Sequence, residues 1–228
     1  MANAACVIAG NQYLADRALK AGAKRVEIIP TVVDIERYHT DSVPSPDGMP
    51  RVGWIGTPQT WRDLGYPVYA GLATELEKAG VIFRAVGAAL CASREGNLEI
   101  VPWSEESEVA SIQGMDIGVM PLTDTPWTRG KCGYKLIQYM ACGLPVIASP
   151  IGANREIVRD GTDGFFASEP HEWSARILQL CHDEPLRKQM GSVARKRIEE
   201  FYSLQVWSKQ LGDIFLAAGN TKIGARNS

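Results

Sequence analysis

Between residues 129 and 135 the chain reads Arg-Gly-Lys-Cys-Gly-Tyr-Lys, which sets two glycines and three cations directly ahead of an apolar run. Leu136, Ile137, Met140 and Ala141 then recur at spacings that suit one buried face of a helix, and Gly143 stops it. A helix that starts near Gly133 leaves backbone N–H groups without partners and carries the positive end of the peptide dipoles, so it attracts an anion. Arg129, Lys131 and Lys135 crowd that start, and Gly130 and Gly133 let a backbone come close to a ligand. A turn flanked by solvated lysines would explain each feature singly. The coincidence of glycine, cation and helix start favours a phosphate site.

Helices and strands must hold such a site in place, and the chain alternates short β-rich runs with longer helical ones, the pattern of a parallel α/β sheet. "ACVIAG", a helical "NQYLADRALKAG" and "KRVEIIPTVVD" make a first strand–helix–strand piece over residues 1–40. Residues 41–50, rich in proline, read as a linker. A new series then runs over 51–202: strands at "PRVGWIG", "VIFRAVG", "NLEIVPW", "MDIGVMPL", "PVIAS" and "GFFA", with helices at "GYPVYAGLATELEKAG", "SEESEVASIQG" and "YKLIQYMACG" between them. One long helical tail begins near Pro170, and its last part, residues 203–228, carries the apolar set Val206, Trp207, Leu211, Ile214 and Phe215. The fold class that follows is α/β, a Rossmann-like doubly wound parallel sheet, in which ligands bind beyond the carboxyl ends of the strands. The loop into Tyr134 is such a place.

Composition narrows the chemistry. A formal net charge of −2 gives no basic field to collect nucleic acid. Five scattered cysteines without a C-x-x-C spacing argue against a disulfide framework or a zinc site and fit a reducing, cytoplasmic compartment. No apolar run approaches a membrane span, which leaves room for peripheral contact with the inner face of a membrane. No D-x-D pattern occurs, Asp124 is the one carboxylate in the loop before the helix, and no metal or cofactor is expected. His39, His171 and His182 stand in linker or tail segments without a nearby acid, so no catalytic base is assigned among them.

The stretch "GKCGYKLIQYMACGLPVIASPIGANREIV" resembles the sugar-nucleotide signature of the family-4 (group 1) retaining glycosyltransferases of GT-B fold. That signature is roughly E-G-F-G-x-x-x-x-E-A-M-A-x-G-x-P-V-[IV]-A-[ST]-x-x-G-G-x-x-E. Met140 to Ser149 and Gly152 to Glu156 carry the match, and "VIAGNQYLADRALKAGAKRVEIIPTVVDIERY" and "DGTDGFFA" resemble the family's hinge region and a later strand. The resemblance implies the C-terminal, donor-binding half of a two-domain enzyme. It implies a nucleoside diphosphate sugar, UDP- or GDP-linked, as substrate. The acceptor glycan or lipid-linked glycan belongs to an absent N-terminal domain, and the final helix crosses back to that domain.

The departures from the signature bear on its chemistry. Its two glutamates fall on Gly130 and Gln138, so both carboxylates are gone. By position Gln138 takes the ribose, with an amide in place of a charge. The family's Arg and Lys pair after the first strand of this domain is also missing, and "GWIGTPQTWRDLG" offers Arg62 instead. The diphosphate is therefore assigned to Arg129, Gly130, Lys131, Cys132, Gly133, Tyr134 and Lys135 with Arg62 as helper, and the base to Val101, Pro102 and Trp103, whose indole can stack on it. No catalytic residue is assigned. The expected activity is glycosyl transfer in polysaccharide or cell-envelope glycan synthesis, inactive in these residues alone. The competing readings are a non-catalytic nucleotide-sugar-binding half and a GT-B nucleotide-sugar epimerase. A dinucleotide oxidoreductase is poorly served by "GWIGTP", which lacks the third glycine of its fingerprint.

Overall fold

The structure is a computed structural model that describes residues 1–41 and 43–224. Residues 225–228 of the expected tail lie outside the described residues. A small unit comes first: β1 (Val7–Ala9), α1 (Gln12–Lys20) and β2 (Val26–Ile28), with β1 and β2 paired in parallel as a separate two-stranded sheet. Asn11 caps α1 by accepting from the Leu14 N–H. The chain then passes Val33, which bridges Ser203, and reaches the main sheet through residues 41–50, where the Val43 N–H donates to the Gln113 carbonyl.

The main sheet is built from β3 (Arg51–Ile55), β4 (Ile82–Val86), β5 (Ser93–Glu95), β6 (Leu98–Val101), β7 (Ile117–Met120), β8 (Val146–Ala148) and β9 (Gly164–Phe166). Their order is β5-β6-β4-β3-β7-β8-β9, and every neighbouring pair is parallel except β5 with β6. The chain works outward from β3 in one direction, then returns to place β7 on its other side. That reversal between β3 and β7 is the topological switch point, where doubly wound sheets open a crevice for ligands.

Helices α2 (Pro58–Thr60), α3 (Tyr66–Lys78), α4 (Glu108–Gln113), α5 (Pro126–Arg129), α6 (Tyr134–Ala141), α7 (Asn154–Ile157), α8 (Pro170–His182), α9 (Glu184–Phe201) and α10 (Leu204–Gly224) complete the chain. Successive strand residues enter opposite layers. Trp54, Ala85, Val119 and Ile147 pack with α3 and α8, whereas Ile55, Val86, Met120 and Ala148 pack with α6 and α9. Both layers are apolar, so the sheet is buried on both faces and the mouths of its strand–helix loops are where polar chemistry can sit.

Several elements depart from the sequence pattern. Edge strand β5 has every residue exposed and therefore no alternation to betray it. Helical structure begins at Pro58 rather than near Tyr66, through α2 and a π-helical turn, Trp61–Gly65. The loop before α6 contains α5. The tail is three helices, not one: Asp183 ends α8 and caps α9 by accepting from the Leu186 N–H, with Pro185 in its first turn. Within α10, Ile214 is buried, Trp207 and Leu211 are half-buried, and Val206 and Phe215 face solvent.

Candidate functional site

Gly133 fixes the start of α6. Its φ of +68° is left-handed, and a Cβ built there would lie 2.1 Å from Ile157 Cδ1, so neither backbone nor packing admits a side chain. With glycine at the cap, no side-chain oxygen accepts from the first turn of α6. The loop that leads in is held from the small N-terminal unit: buried Asn11 donates through Nδ2 to the Lys131 carbonyl at 3.1 Å and to the Gly130 carbonyl at 3.4 Å.

This helix start opens on a cavity of about 360 Å³ at the switch point. Its walls are the end of β3 and the turn after it (Ile55, Gly56, Thr57), Met120 at the end of β7, residues 131–135, Trp103, Glu108 and Gln138. The end of β3 is braced by Tyr139, whose buried hydroxyl accepts from the Ile55 N–H at 2.8 Å. Gly87 is left-handed too, and a Cβ there would lie 2.2 Å from the Gly56 carbonyl and 3.1 Å from Trp103 Cβ. That close approach seats Trp103 at the rim, half exposed, with its ring available. A larger groove of about 700 Å³ lies elsewhere, between residues 142–145 and α9, but its Arg187 and Arg195 are already spent on backbone carbonyls and carboxylates.

The charge in the small cavity is cationic at one end. Lys135 Nζ stands 5.2 Å over the Trp54 ring and has no carboxylate partner among the described residues; burial, aided by neighbouring Lys131, brings its pKa down to about 8. Lys131 Nζ lies 5.7 Å over the Trp127 ring, also without a carboxylate. Two cations without counter-charge among the described residues, beside a helix start without a side-chain cap, give this end of the cavity the chemistry to attract an anion.

A polar network floors the rest. Gln138 donates through Nε2 to the Tyr38 hydroxyl at 3.0 Å, Tyr38 donates to Glu108 Oε1 at 2.7 Å, and Trp103 Nε1 donates to Glu108 Oε2 at 2.8 Å. The Tyr134 hydroxyl stands 3.4 Å from that of Tyr38. Burial pushes the Tyr38 phenol well above its ordinary range, so it stays protonated.

The structure thus gathers Lys131, Cys132, Gly133, Tyr134, Lys135, Gln138 and Trp103 around one cavity. Other expected site residues stand outside its lining. Arg129, on α5, is tied through two nitrogens to Asp124 at 2.6 and 2.9 Å. Arg62 points its guanidinium to Gln59 at 2.7 Å. Gly130 ends α5, and Val101 and Pro102 flank the rim, where the Val101 carbonyl accepts from the Gly87 N–H. Asn11, Tyr38 and Glu108 escaped the sequence reading. Their contacts span 120, 100 and 70 positions of the chain, and local spacing carries no signal of them. Among the described residues no group of three or more His, Cys, Asp or Glu side chains could hold a metal ion, and no helix is long and apolar enough to cross a membrane.

The fold is that of the C-terminal Rossmann-like domain of GT-B proteins, with the cavity at its switch point. Residues 70–183, half of the chain, match the family profile of the glycosyl transferases group 1, and the chain belongs to that family. An uncharacterised glycosyltransferase of Methanocaldococcus jannaschii is 37% identical over 71 residues, which cover 30% of this chain and 20% of that protein. Among solved structures, the sucrose-phosphate synthase of Thermosynechococcus elongatus superposes with a TM-score of 0.74 at 16% identity, over 96% of this chain and 60% of that one. Anabaena HepE, in complex with UDP and glucose, superposes with a TM-score of 0.71 at 17% identity, over 92% of this chain and 62% of that one. The chain therefore spans less than two thirds of these relatives. The shared architecture is the C-terminal Rossmann-like domain of the GT-B fold.

Proposed function

We propose that this chain is the donor-binding half of a retaining glycosyltransferase. It holds a nucleoside diphosphate sugar, UDP- or GDP-linked, for transfer to an acceptor glycan or lipid-linked glycan carried by an N-terminal domain outside these residues, in polysaccharide or cell-envelope glycan synthesis. One observation carries the reading: a single cavity joins the uncapped start of α6, the carboxylate-free Lys131 and Lys135, and the exposed Trp103 ring. A diphosphate fits the first two and a nucleobase the third. The UDP bound in HepE, on the same fold, supports it.

In this reading negative charge grows on the departing diphosphate as the glycosidic bond breaks. Lysines and N–H groups fixed in advance favour that charge at no cost of reorganisation. Gln138 contributes an amide to the ribose. Because the acceptor and any general base come from the other domain, the 228 residues alone are expected to bind donor and transfer nothing.

Isothermal calorimetry with UDP, GDP, uridine, guanosine and inorganic pyrophosphate tests the assignment. Lys131→Ala and Lys135→Ala should each weaken binding of the diphosphates about 10-fold and leave the free nucleosides unchanged. Equal losses for nucleoside and nucleoside diphosphate would remove the phosphate from α6.

A further inference from the structure

Glu108 has no role in the contacts assigned so far, yet it is a carboxylate in the wall of the cavity, only 7% exposed. Its two oxygens are held by different neutral donors, Tyr38 Oη on Oε1 and Trp103 Nε1 on Oε2. Arg37, itself partly exposed, pairs with Oε1 as an ion pair at 3.7 Å, longer than a hydrogen bond. An ionised carboxylate accepts about four hydrogen bonds, so each oxygen retains an open acceptor direction. Beside it Gln138, 3% exposed, has spent its amide N–H on Tyr38, and its Oε1 has no partner among the described residues.

Two neutral donors and one partly exposed cation hold the buried carboxylate in place without filling its acceptor directions. What such a group suits is a ligand with paired hydroxyl donors. Two O–H groups on adjacent ring carbons can each meet one oxygen of a single carboxylate, whereas a phosphate would be repelled.

We propose that Glu108 reads the vicinal 2′ and 3′ hydroxyls of the donor's ribose, one on each carboxylate oxygen, with Tyr38 and Trp103 as the residues that position it. The inference rests on the nucleoside diphosphate reading above and orders the ligand within the cavity: base at the Trp103 ring, ribose at Glu108 and the Gln138 carbonyl, diphosphate at Lys131, Lys135 and the start of α6. A charge that the helix α6 lacks is supplied from α4 instead.

The test is calorimetry on the full chain with UDP and GDP and with their 2′,3′-dideoxy counterparts, on the wild type, Glu108→Gln and Trp103→Phe. In the wild type, loss of both hydroxyls should weaken binding about 30- to 100-fold. In Glu108→Gln that ratio should shrink below about 5-fold, through weaker binding of the ribose form at unchanged affinity for the dideoxy form. A merely structural Glu108 would lower both affinities in parallel, and that result overturns the proposal. Should Glu108→Gln fail to fold by thermal melting, Trp103→Phe decides: the loss of one donor to Oε2 at a half-exposed position should cut the ratio about threefold or more, and an unchanged ratio refutes the role. Lysine-dependent binding with no hydroxyl dependence in the wild type would sink Glu108 alone; a folded wild type that binds neither UDP nor GDP would sink the donor reading with it.

Discussion

At the scale of single residues, Lys135 shows what a site costs its fold. The ammonium is largely removed from water without a carboxylate, and burial together with Lys131 lowers its pKa from the ordinary 10.5 to about 8. The folded-state value lies below the unfolded one. The unfolded chain therefore holds the extra proton between those two pH values, stability rises with pH across that window, and the cost of the charge is fully present below about pH 8. Lys135→Met should accordingly stabilise the ligand-free chain at pH 7 by about 1–3 kcal/mol and give no gain near pH 10.5. The same variant should lose nucleoside diphosphate affinity, and wild-type affinity should fall as pH climbs through about 8. Thermal melts at both pH values, with and without UDP or GDP, check both arms; a melting temperature that drops at pH 7 in Lys135→Met would make the ammonium a structural group. Gln138 has a complementary logic. A carboxylate at that position would share the Tyr38 hydroxyl with Glu108, and two acids on one donor repel. The amide at 138 and the acid at 108 are thus explained together.

At the scale of elements, the site depends on where α6 begins, and Gly133 sets that. Gly133→Ala would force an L side chain into a left-handed backbone and into Ile157, which is buried on α7. A loss of about 2–4 kcal/mol in chemical denaturation is expected, together with loss of pyrophosphate binding. Gly161 is the control, because its φ is +73° but a Cβ would meet nothing within 4 Å; Gly161→Ala should cost about 1–2 kcal/mol, for backbone strain alone, and spare binding. Similar losses for the two alanines would show that packing on Ile157 contributes nothing. The position of α6 was legible in the sequence because the signals agree: glycine, apolar periodicity, then Gly143. The alternation of strands and helices likewise announced the doubly wound sheet and its crevice. Other elements hid for identifiable reasons. Both α2 and α5 open on the same four-residue signature, Thr-Pro-x-Thr, at Thr57–Thr60 and Thr125–Thr128, where the threonines form capping boxes around a proline in the first turn. That signal was present but lies in runs too short for apolar periodicity. The Tyr38–Glu108–Gln138 network had no local signal at all, since only folding brings its three segments together.

At the scale of the whole molecule, one side chain joins residues 35–38 to the site. Arg195, on α9, donates through Nη1 to the Tyr38 carbonyl at 2.6 Å and to the Ala141 carbonyl at the end of α6, and through Nη2 to the Ile35 carbonyl at 3.2 Å. It thereby holds residues 35–38 against α6, while the buried Tyr38 side chain reaches from that segment to Glu108 in the cavity wall. A second tie lies close by: Val33 exchanges backbone hydrogen bonds with Tyr202 and Leu204, where α9 gives way to α10. The last helices, far from the cavity in sequence, therefore set the position of the residue that aims its carboxylate. Arg195→Met keeps the aliphatic stem and removes the charge-assisted bonds to three carbonyls. It should lower the melting temperature by about 5–10 °C, because charged donors in a partly buried setting are each worth about 1.5–3 kcal/mol and water recovers part of that. The diagnostic readout is local. Hydrogen exchange should accelerate across residues 33–38 more than in β3, and affinity for a nucleoside diphosphate should fall by several-fold at temperatures where the chain is still folded. Arg176→Met on α8, whose guanidinium bonds Gln179 and lies over Phe165, serves as the comparison and should change neither. If Arg195→Met lost stability while exchange at 33–38 and nucleotide affinity both held, the arginine would be a brace for α9 alone, and the orientation of Glu108 would have to come from Trp103 and α4 without help from residues 35–38.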